Sequence, residues 1–568
     1  MPVADHSSEV EADLQTDVGE LEQSLAEIAP EFDNESPLQR EAAQDASQGL
    51  NSPKVFNPWI VAIVVTIGTF MEVLDTSIAN VALPHIAGGL SASLDEGAWV
   101  LTSYLVANAV VLPISGWLSS IMGRKNYYLA SVLLFTVFSA ACGFAPSLGV
   151  LVAFRVLQGL AGGGLQPSVQ AILADSFSNK QRGMAMALYT VAILCAPVLG
   201  PTAGGWITDN YSWRWIFYIN IPIGIVCILL TRIVLHDPLH LQEAKAKARK
   251  LSVDWIGLGL ISTGLATLEI VLDKGQELDW LGSNFITVFV CISALALAGA
   301  VYWELHCKNP VVNLRLLGER NFRTCCIIIL ALYASLYAAT YLLPVYMQQM
   351  MGYDATTAGF ALSPSGIFTI MEVPLVGLLL TRGADPRKLA FLGLVVISIS
   401  YWWMAHLNLE VSEMDLVLPR ILQVLGVGII TVPISTVIFR FLPKEQSGQA
   451  AGIYALMRNE GGSLGIALVS TMLQRKAQLH QQMLGQHMEA ANGFVQQSIA
   501  GLAAAPGNLA DHRYAAMAQL YNAMIRQATL LAYMDQFRML GCITVAMLPL
   551  IFLLKRPPVQ KHVELEAH

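Results

Sequence analysis

Charge is what this sequence has least of: Asp, Glu, Lys and Arg make up 13% of its 568 residues, about half the share of a soluble domain. Metal and redox chemistry have no assembled ligand set: His480 and His487 stand seven apart on one helical face without further ligands. The eight cysteines, at 142, 195, 227, 291, 307, 325, 326 and 542, lie mostly inside apolar stretches and match no zinc spacing, so they read as packing residues and no metal is expected. Cys325 and Cys326 are adjacent, at a helix start. No Gly-rich phosphate loop is present, which argues against ATP-driven chemistry. No polar loop clusters His, Asp or Lys as a membrane enzyme would need, so the expectation is a non-enzyme with no cofactor and no nucleic-acid partner. The N-terminus lacks the basic start, apolar stretch and cleavage site of a signal peptide. Residues 1–57 hold thirteen acidic residues against Arg40 and Lys54, with no aromatic before Phe32. That composition reads as an acidic, disordered cytoplasmic tail.

What fills the remainder is apolar. Hydrophobic residues are 55% of the chain and mean hydropathy is +0.54. They fall in runs of about twenty residues, each long enough to cross a hydrocarbon core of about 30 Å. Fourteen spans are expected, at about 58–80, 98–118, 127–146, 150–175, 185–208, 216–235, 255–273, 284–304, 323–347, 356–381, 388–408, 415–440, 447–473 and 532–554. With the tail inside, alternate loops collect Arg124, Lys125, Lys180, Arg182, the Lys245–Lys250 cluster, Lys308, Arg315, Arg320, Arg382, Arg387, Lys388, Lys444, Lys555 and Arg556. The opposite loops carry Arg214, Lys274 and a handful in the long segment 474–530. The positive-inside rule therefore puts both termini in the cytoplasm.

An internal repeat orders these spans. Gln181-Arg-Gly183-Met-Ala185 through Tyr189 recurs as Gln446-Ser-Gly448-Gln-Ala450 through Tyr454, and Arg155-Val-Leu-Gln158 recurs as Arg420-Ile-Leu-Gln423, both at an offset of 265 residues. Two matches at one offset pair spans 4 and 5 with spans 12 and 13. The chain then divides into the tail (1–57), a six-helix half (58–235), a linker with two extra spans (236–322), a second six-helix half (323–557) that includes an outer hairpin (474–530), and a cytoplasmic tail (558–568). Parallel six-span halves are the architecture of major-facilitator transporters, with the site between halves at mid-membrane. The two extra spans are expected at the periphery.

Several stretches make the resemblance specific. They are Leu74-Asp75-Thr76-Ser77-Ile78-Ala79-Asn80 through Pro84, Arg155-Val-Leu-Gln158-Gly159, Gly200-Pro201-Thr-Ala-Gly204-Gly205, Trp213-Arg214-Trp215 through Gly224, Leu272-Asp273-Lys274-Gly275 through Trp280, and Arg458-Asn459-Glu460-Gly461-Gly462 through Gly465. In this order they resemble the fourteen-span drug:proton antiporter family of the major facilitator superfamily, and within it the EmrB-like permeases. The resemblance covers roughly residues 58–557. It implies an all-α membrane fold arranged 6+2+6, in the bacterial inner membrane. The implied activity is export of hydrophobic or cationic drugs, driven by the proton gradient. The implied partners are the lipid bilayer, amphipathic small molecules, an EmrA-like periplasmic membrane-fusion adaptor and, through it, a TolC-like outer-membrane channel. Segment 474–530 stands where the adaptor would meet the permease. The sequence departs from the family's pattern twice. The stretch Gly116-Trp-Leu-Ser-Ser-Ile-Met-Gly123-Arg124-Lys125 lacks an acid ahead of its base, and Glu460 replaces an apolar residue.

Ionisable residues inside spans are costly and default to function. A proton-driven exporter needs a carboxylate that loads from one side and unloads to the other. Asp75 is the leading candidate, with Glu72 three residues earlier on nearly the same helix face. The resemblance makes Arg155 a proton-relay arginine. Glu372 and Glu460 are further candidate acids. Arg420 reads as structural, and Glu269 and Asp273 as boundary residues at the outer end of span 7. Arg458 and Glu460 point different ways, so Arg458 should find its partner on another helix. Aromatic and thioether walls suit amphipathic compounds. Tyr104, Gln158, Tyr337, Tyr341, Tyr346 and Arg458 are candidate substrate contacts, with Trp99 and Met347 beside them. Asn80, Gly116, Gly123, Arg124, Gly200, Pro201, Gly204 and Gly205 are candidates for the conformational change. A dedicated exporter of one metabolite, siderophore or antibiotic is the alternative, and a transport-dead sensor the reading from another class.

Overall fold

The computed structural model describes residues 56–178, 181–236, 254–353, 355–362, 364–409, 412–439, 441–443, 446–486, 493, 496–497 and 509–555. The acidic tail to residue 55, the Lys245–Lys250 cluster, His487, most of the tip of segment 474–530 and the C-terminal tail lie outside them. Regular structure among the described residues is entirely helical. The N-terminal half comprises α1 (Pro58–Gly89), α2 (Leu94–Met122), α3 (Arg124–Phe144), α4 (Leu148–Gly162), α5 (Leu165–Ser176), α6 (Arg182–Asn210), α7 (Trp215–Tyr218) and α8 (Asn220–Val234). Then come α9 (Trp255–Lys274) and α10 (Asn284–His306). The C-terminal half comprises α11 (Arg320–Met350), α12 (Ala355–Leu362), α13 (Pro364–Thr381), α14 (Pro386–Met404), α15 (Glu413–Ile438), α16 (Ser447–Gln486) and α17 (Leu509–Phe552).

Local chemistry sets the breaks. Pro58 opens α1, where a missing N–H costs nothing, and the Asn57 side chain accepts from Trp59 N at 3.0 Å. Between α2 and α3 stands one residue, Gly123, at φ 87°, a backbone region that side chains disfavour. The expected span 4 is α4 and α5, broken at Gly163-Gly164. Span 6 is α7 and α8, and span 10 is α12 and α13.

Twelve helical stretches are long and apolar enough to cross a membrane, and a thirteenth is α6, bent by 42° between Pro197 and Thr202. The remaining expected span is α16, whose 40 residues are less apolar because Arg458, Asn459 and Glu460 sit within it. It is nonetheless packed against α2, α5, α9, α11 and α17.

Glycines set the closest approaches. Gly461 and Gly465 of α16 lie against the carbonyl oxygens of Leu330 and Ala334 on α11. Gly200 and Gly204 of α6 seat on Ser77 and Ile78 of α1, whereas Gly205 faces open space. The halves meet along α2 and α16, where a Cβ on Gly116 would come within 2.6 Å of the Gly448 and Gln449 backbone. They meet again where Gly183 of α6 touches Leu380 of α13. Both contacts are at the end bearing the short α2–α3 turn. The extra helices divide in behaviour: α10 packs on α9, but α9 packs on α2 of one half and α16 of the other. Only α10 is peripheral; α9 occupies the seam.

Filling the α11–α16 approach should be costly. Gly465→Val is expected to destabilise the purified protein by about 1–3 kcal/mol, seen as a lowered thermal midpoint in detergent. Gly205→Ala, where a Cβ meets nothing within 4 Å, should leave the midpoint unchanged.

Candidate functional site

Asp75 sits in the middle of the N-terminal half, 2% exposed, on the side of α1 that faces α4 and α8. Arg155 of α4, fully buried, donates from Nη1 to Asp75 Oδ2 at 2.7 Å. The other oxygen, Oδ1, accepts from Gln158 Nε2 at 3.1 Å and from Asn220 Nδ2 at 2.6 Å. Arg155 Nη1 also donates to Gln158 Oε1 at 2.9 Å, and its Nε to Val100 O at 3.0 Å. Asn220 Nδ2 lies 2.9 Å from Ser139 Oγ, which donates to Phe217 O. The guanidinium lies over the Tyr104 ring, 4.2 Å from its centroid. A carboxylate out of water must be paired and hydrogen-bonded, and here one arginine and two amides do it. A proton arriving at Asp75 would cancel the pairing and free Arg155.

Glu72 is 3% exposed but turns the other way, towards the space between halves. Its Oε1 accepts from Asn108 Nδ2 of α2 at 3.0 Å, and its Oε2 has no hydrogen-bond partner. Gln166 of α5 is beside it, and Arg458 of α16 acts on it electrostatically. Arg458 donates to the Tyr189 hydroxyl of α6 at 3.0 Å, a bond across the two halves, and lies 5.7 Å from the Tyr333 ring centroid. The three-residue spacing placed the two acids nearly on one face. In the fold Asp75 is neutralised inside its own half, and Glu72 is left facing the partner half.

The remaining candidates separate. Tyr337 and Tyr341, one turn apart on α11, are each 37% exposed, and the Tyr337 ring lies tilted against Tyr333 with 6.0 Å between centroids. Tyr104 and Gln158 are buried beneath and beside Arg155. Tyr346 is fully buried, donating to Asn408 O at 2.8 Å and packed edge-on against Tyr533. These three are packing and hydrogen-bonding parts of the helix bundle rather than open wall. Met347 is likewise buried, while Trp99 lines an apolar crevice of about 630 Å³ between α2, α4, α9 and α10. Glu372 lies against Gly428 of α15, within its own half. Glu460 is 4% exposed and faces α9, with neither carboxylate oxygen hydrogen-bonded. Glu269 and Asp273 of α9 are not simply solvated boundary groups. Glu269 is 1% exposed and accepts from Ser463 Oγ of α16 at 2.7 Å, and Asp273 accepts from Thr102 of α2. His480 pairs with Asp535 at 3.0 Å.

The acid missing ahead of Arg124 is supplied from elsewhere. Arg124 pairs with Asp175 at the end of α5, donates to Ala171 O at 2.7 Å and reaches Ser447 Oγ of α16 at 2.8 Å. Ser447 also donates to Asp175 at 3.2 Å, so one clasp joins the halves. Asn80 is exposed, and the Pro201 side chain lies outside the described residues. Asn108, Gln166, Asp175, Tyr189 and Asn220 were not among the candidates. Each is a polar residue in an apolar span or at its end, and that is the signal that would have marked them.

The internal repeat returns as geometry. Arg420 Nη1 donates to Gln423 Oε1 at 2.7 Å, as Arg155 does to Gln158, and Arg420 Nη2 contacts Thr340 Oγ1 at 3.0 Å. Thr340 stands 265 residues after Asp75. The C-terminal half keeps the arginine but has a hydroxyl where the N-terminal half has a carboxylate.

Over residues 65–466 the sequence matches the Major Facilitator Superfamily. It is 36% identical over 453 residues to the multidrug export protein EmrB of Haemophilus influenzae, covering 78% of this chain and 88% of that protein. It is 32% identical over 498 residues to the fatty acid resistance protein FarB of Neisseria gonorrhoeae, covering 88% and 96%. The human organic anion transporter MFSD10 shares its fold at a TM-score of 0.54 and 13% identity, over 86% of this chain and all of that one. The chain is a multi-pass membrane transporter, not an enzyme, and belongs to the major facilitator superfamily as an EmrB-like multidrug efflux permease.

Proposed function

We propose that the chain exports hydrophobic or cationic drugs across the bacterial inner membrane by alternating access, exchanging them for protons. The observation that carries this reading is a buried Asp75–Arg155 pair held by Gln158 and Asn220, beside an incompletely partnered Glu72 that faces the other half. A proton taken by Asp75 releases Arg155 and loosens contacts among α1, α2, α4 and α8. Glu72, with Arg458 and Tyr337 around the same space, meets the cargo. The 6+2+6 arrangement of fourteen spans, α16 among them, belongs to this proposal, as do cytoplasmic termini. Basic loops on one side support that orientation. The tripartite role, with an EmrA-like adaptor at the outward extension of α16 and α17 and a TolC-like channel beyond it, rests on similarity to EmrB.

A second reading has one observation behind it: the similarity to FarB favours a dedicated exporter of an acidic amphiphile, with Arg458 as its anchor. A panel of cationic dyes and long-chain acids in proteoliposomes separates the two by which class competes.

Asp75→Asn should reach the membrane folded and reduce dye export driven by an imposed pH gradient to background; undiminished export would refute the coupling role. Glu72→Gln should weaken export of cationic dyes by about tenfold, the ~1.4 kcal/mol of one screened charge contact. Neutral dyes should be spared, and an equal loss for both would place Glu72 outside the cargo site.

A further inference from the structure

The seam helix α9 carries two acids one turn apart, and each reaches a different half. Asp273 accepts from Thr102 of α2. Glu269 accepts from Ser463 of α16 at 2.7 Å through Oε1, while its Oε2 has no partner. Ser463 is three residues from Glu460, on the same face of α16. Glu460 has both oxygens unpartnered at 4% exposure. Glu269 and Glu460 are therefore buried neighbours that influence each other electrostatically. Their partners include no cation. Asp273 is the one other charged group influencing Glu269, and beyond it Lys274 pairs with Glu277 at 2.7 Å. The elements packed on α9 are α2, α10 and α16, and they add no further charge to the pair among the described residues.

Two unpaired carboxylates cannot both stay ionised in an apolar seam, because burial and mutual repulsion oppose the second charge. We infer that Glu269 and Glu460 form a second proton-binding site, shared between the inserted helix α9 and the C-terminal half, and that α9 takes part in coupling. One proton enters as an O–H on either carboxyl, taking the pair from two negative charges to one. Asp273, exposed on the outer side of Glu269, is the group next to water from which it arrives. Ser463 holds the ionised form of Glu269. When the halves separate at this end, the pair is pulled apart and the proton is released. The inference rests on the proton-coupled reading but assigns a different site from Asp75.

The test is infrared titration of protonated carboxyl groups in the purified full-length protein in lipid, alongside export driven by a pH gradient. Glu269→Gln and Glu460→Gln should each remove one titrating carboxyl from the wild-type difference spectrum, and the double variant should remove no second one. Ser463→Ala, which keeps both acids, should raise the titration by roughly one pH unit, because a hydrogen bond to the charged form is lost. In both single variants the pH optimum of export should shift. Superimposable titrations of wild type and double variant would overturn the site. Two independent, additive losses would overturn the sharing. A wild-type protein in which the pair titrates but no pH gradient drives export would refute the antiport reading and leave the site in place.

Discussion

A charge buried among apolar helices needs an opposite charge and hydrogen bonds, and the Asp75–Arg155 pair draws them from five helices. Both Asp75 oxygens are bonded, and only Arg155 Nη2 is left without a partner among the described residues. Arg155 comes from α4, Asp75 from α1, the Val100 carbonyl from α2, Asn220 from α8 and, behind Asn220, Ser139 from α3. Removing one member of such a pair costs about 3–5 kcal/mol because the survivor is left bare. The same property makes the pair suited to coupling. Protonation removes one charge and leaves the other seeking a new partner.

The two halves repeat a geometry but not its charge. Arg420 and Gln423 repeat the Arg155–Gln158 bond, yet Thr340 stands where Asp75 would be. The carboxylate–arginine pair of the N-terminal half therefore has no counterpart at Arg420. Across that seam the contacts differ from end to end. Near the α2–α3 turn, Gly116 and Gly448 bring α2 against α16, and the Arg124–Asp175–Ser447 clasp ties α3 and α5 to α16. Towards the other end α9 stands between the same two helices, hydrogen-bonded to each. An inserted helix so placed ties the two halves together at that end.

Much of the fold was legible because its signals are local. Apolar length, breaker residues and the 265-residue offset are read along the chain without knowing what packs against what. The span at 447–473 is also expected, although Arg458 and Glu460 dilute the apolar signal of this helix, α16, at the centre of the seam. The site was less legible. Asp75, Glu72 and Arg155 stood out as charges in apolar runs. Nothing in their spacing says that Asp75 is paired within its own half while Glu72 is not. Tyr346 and Tyr104 carry the composition of a pocket wall and are buried packing groups. Asp175 replaces the expected acid from a position about fifty residues away.

By itself, the sequence determined that this is a many-helix membrane protein with two related halves and a few costly intramembrane charges, since burying or exposing apolar length is a local matter. Only the tertiary structure decided which charges meet. Asp75 is closed off by Arg155, Gln158 and Asn220, while Glu72 and the Glu269–Glu460 pair are left without a full complement of partners. That choice depends on distances between side chains far apart in the chain, set by glycine contacts and helix bends that no local pattern encodes.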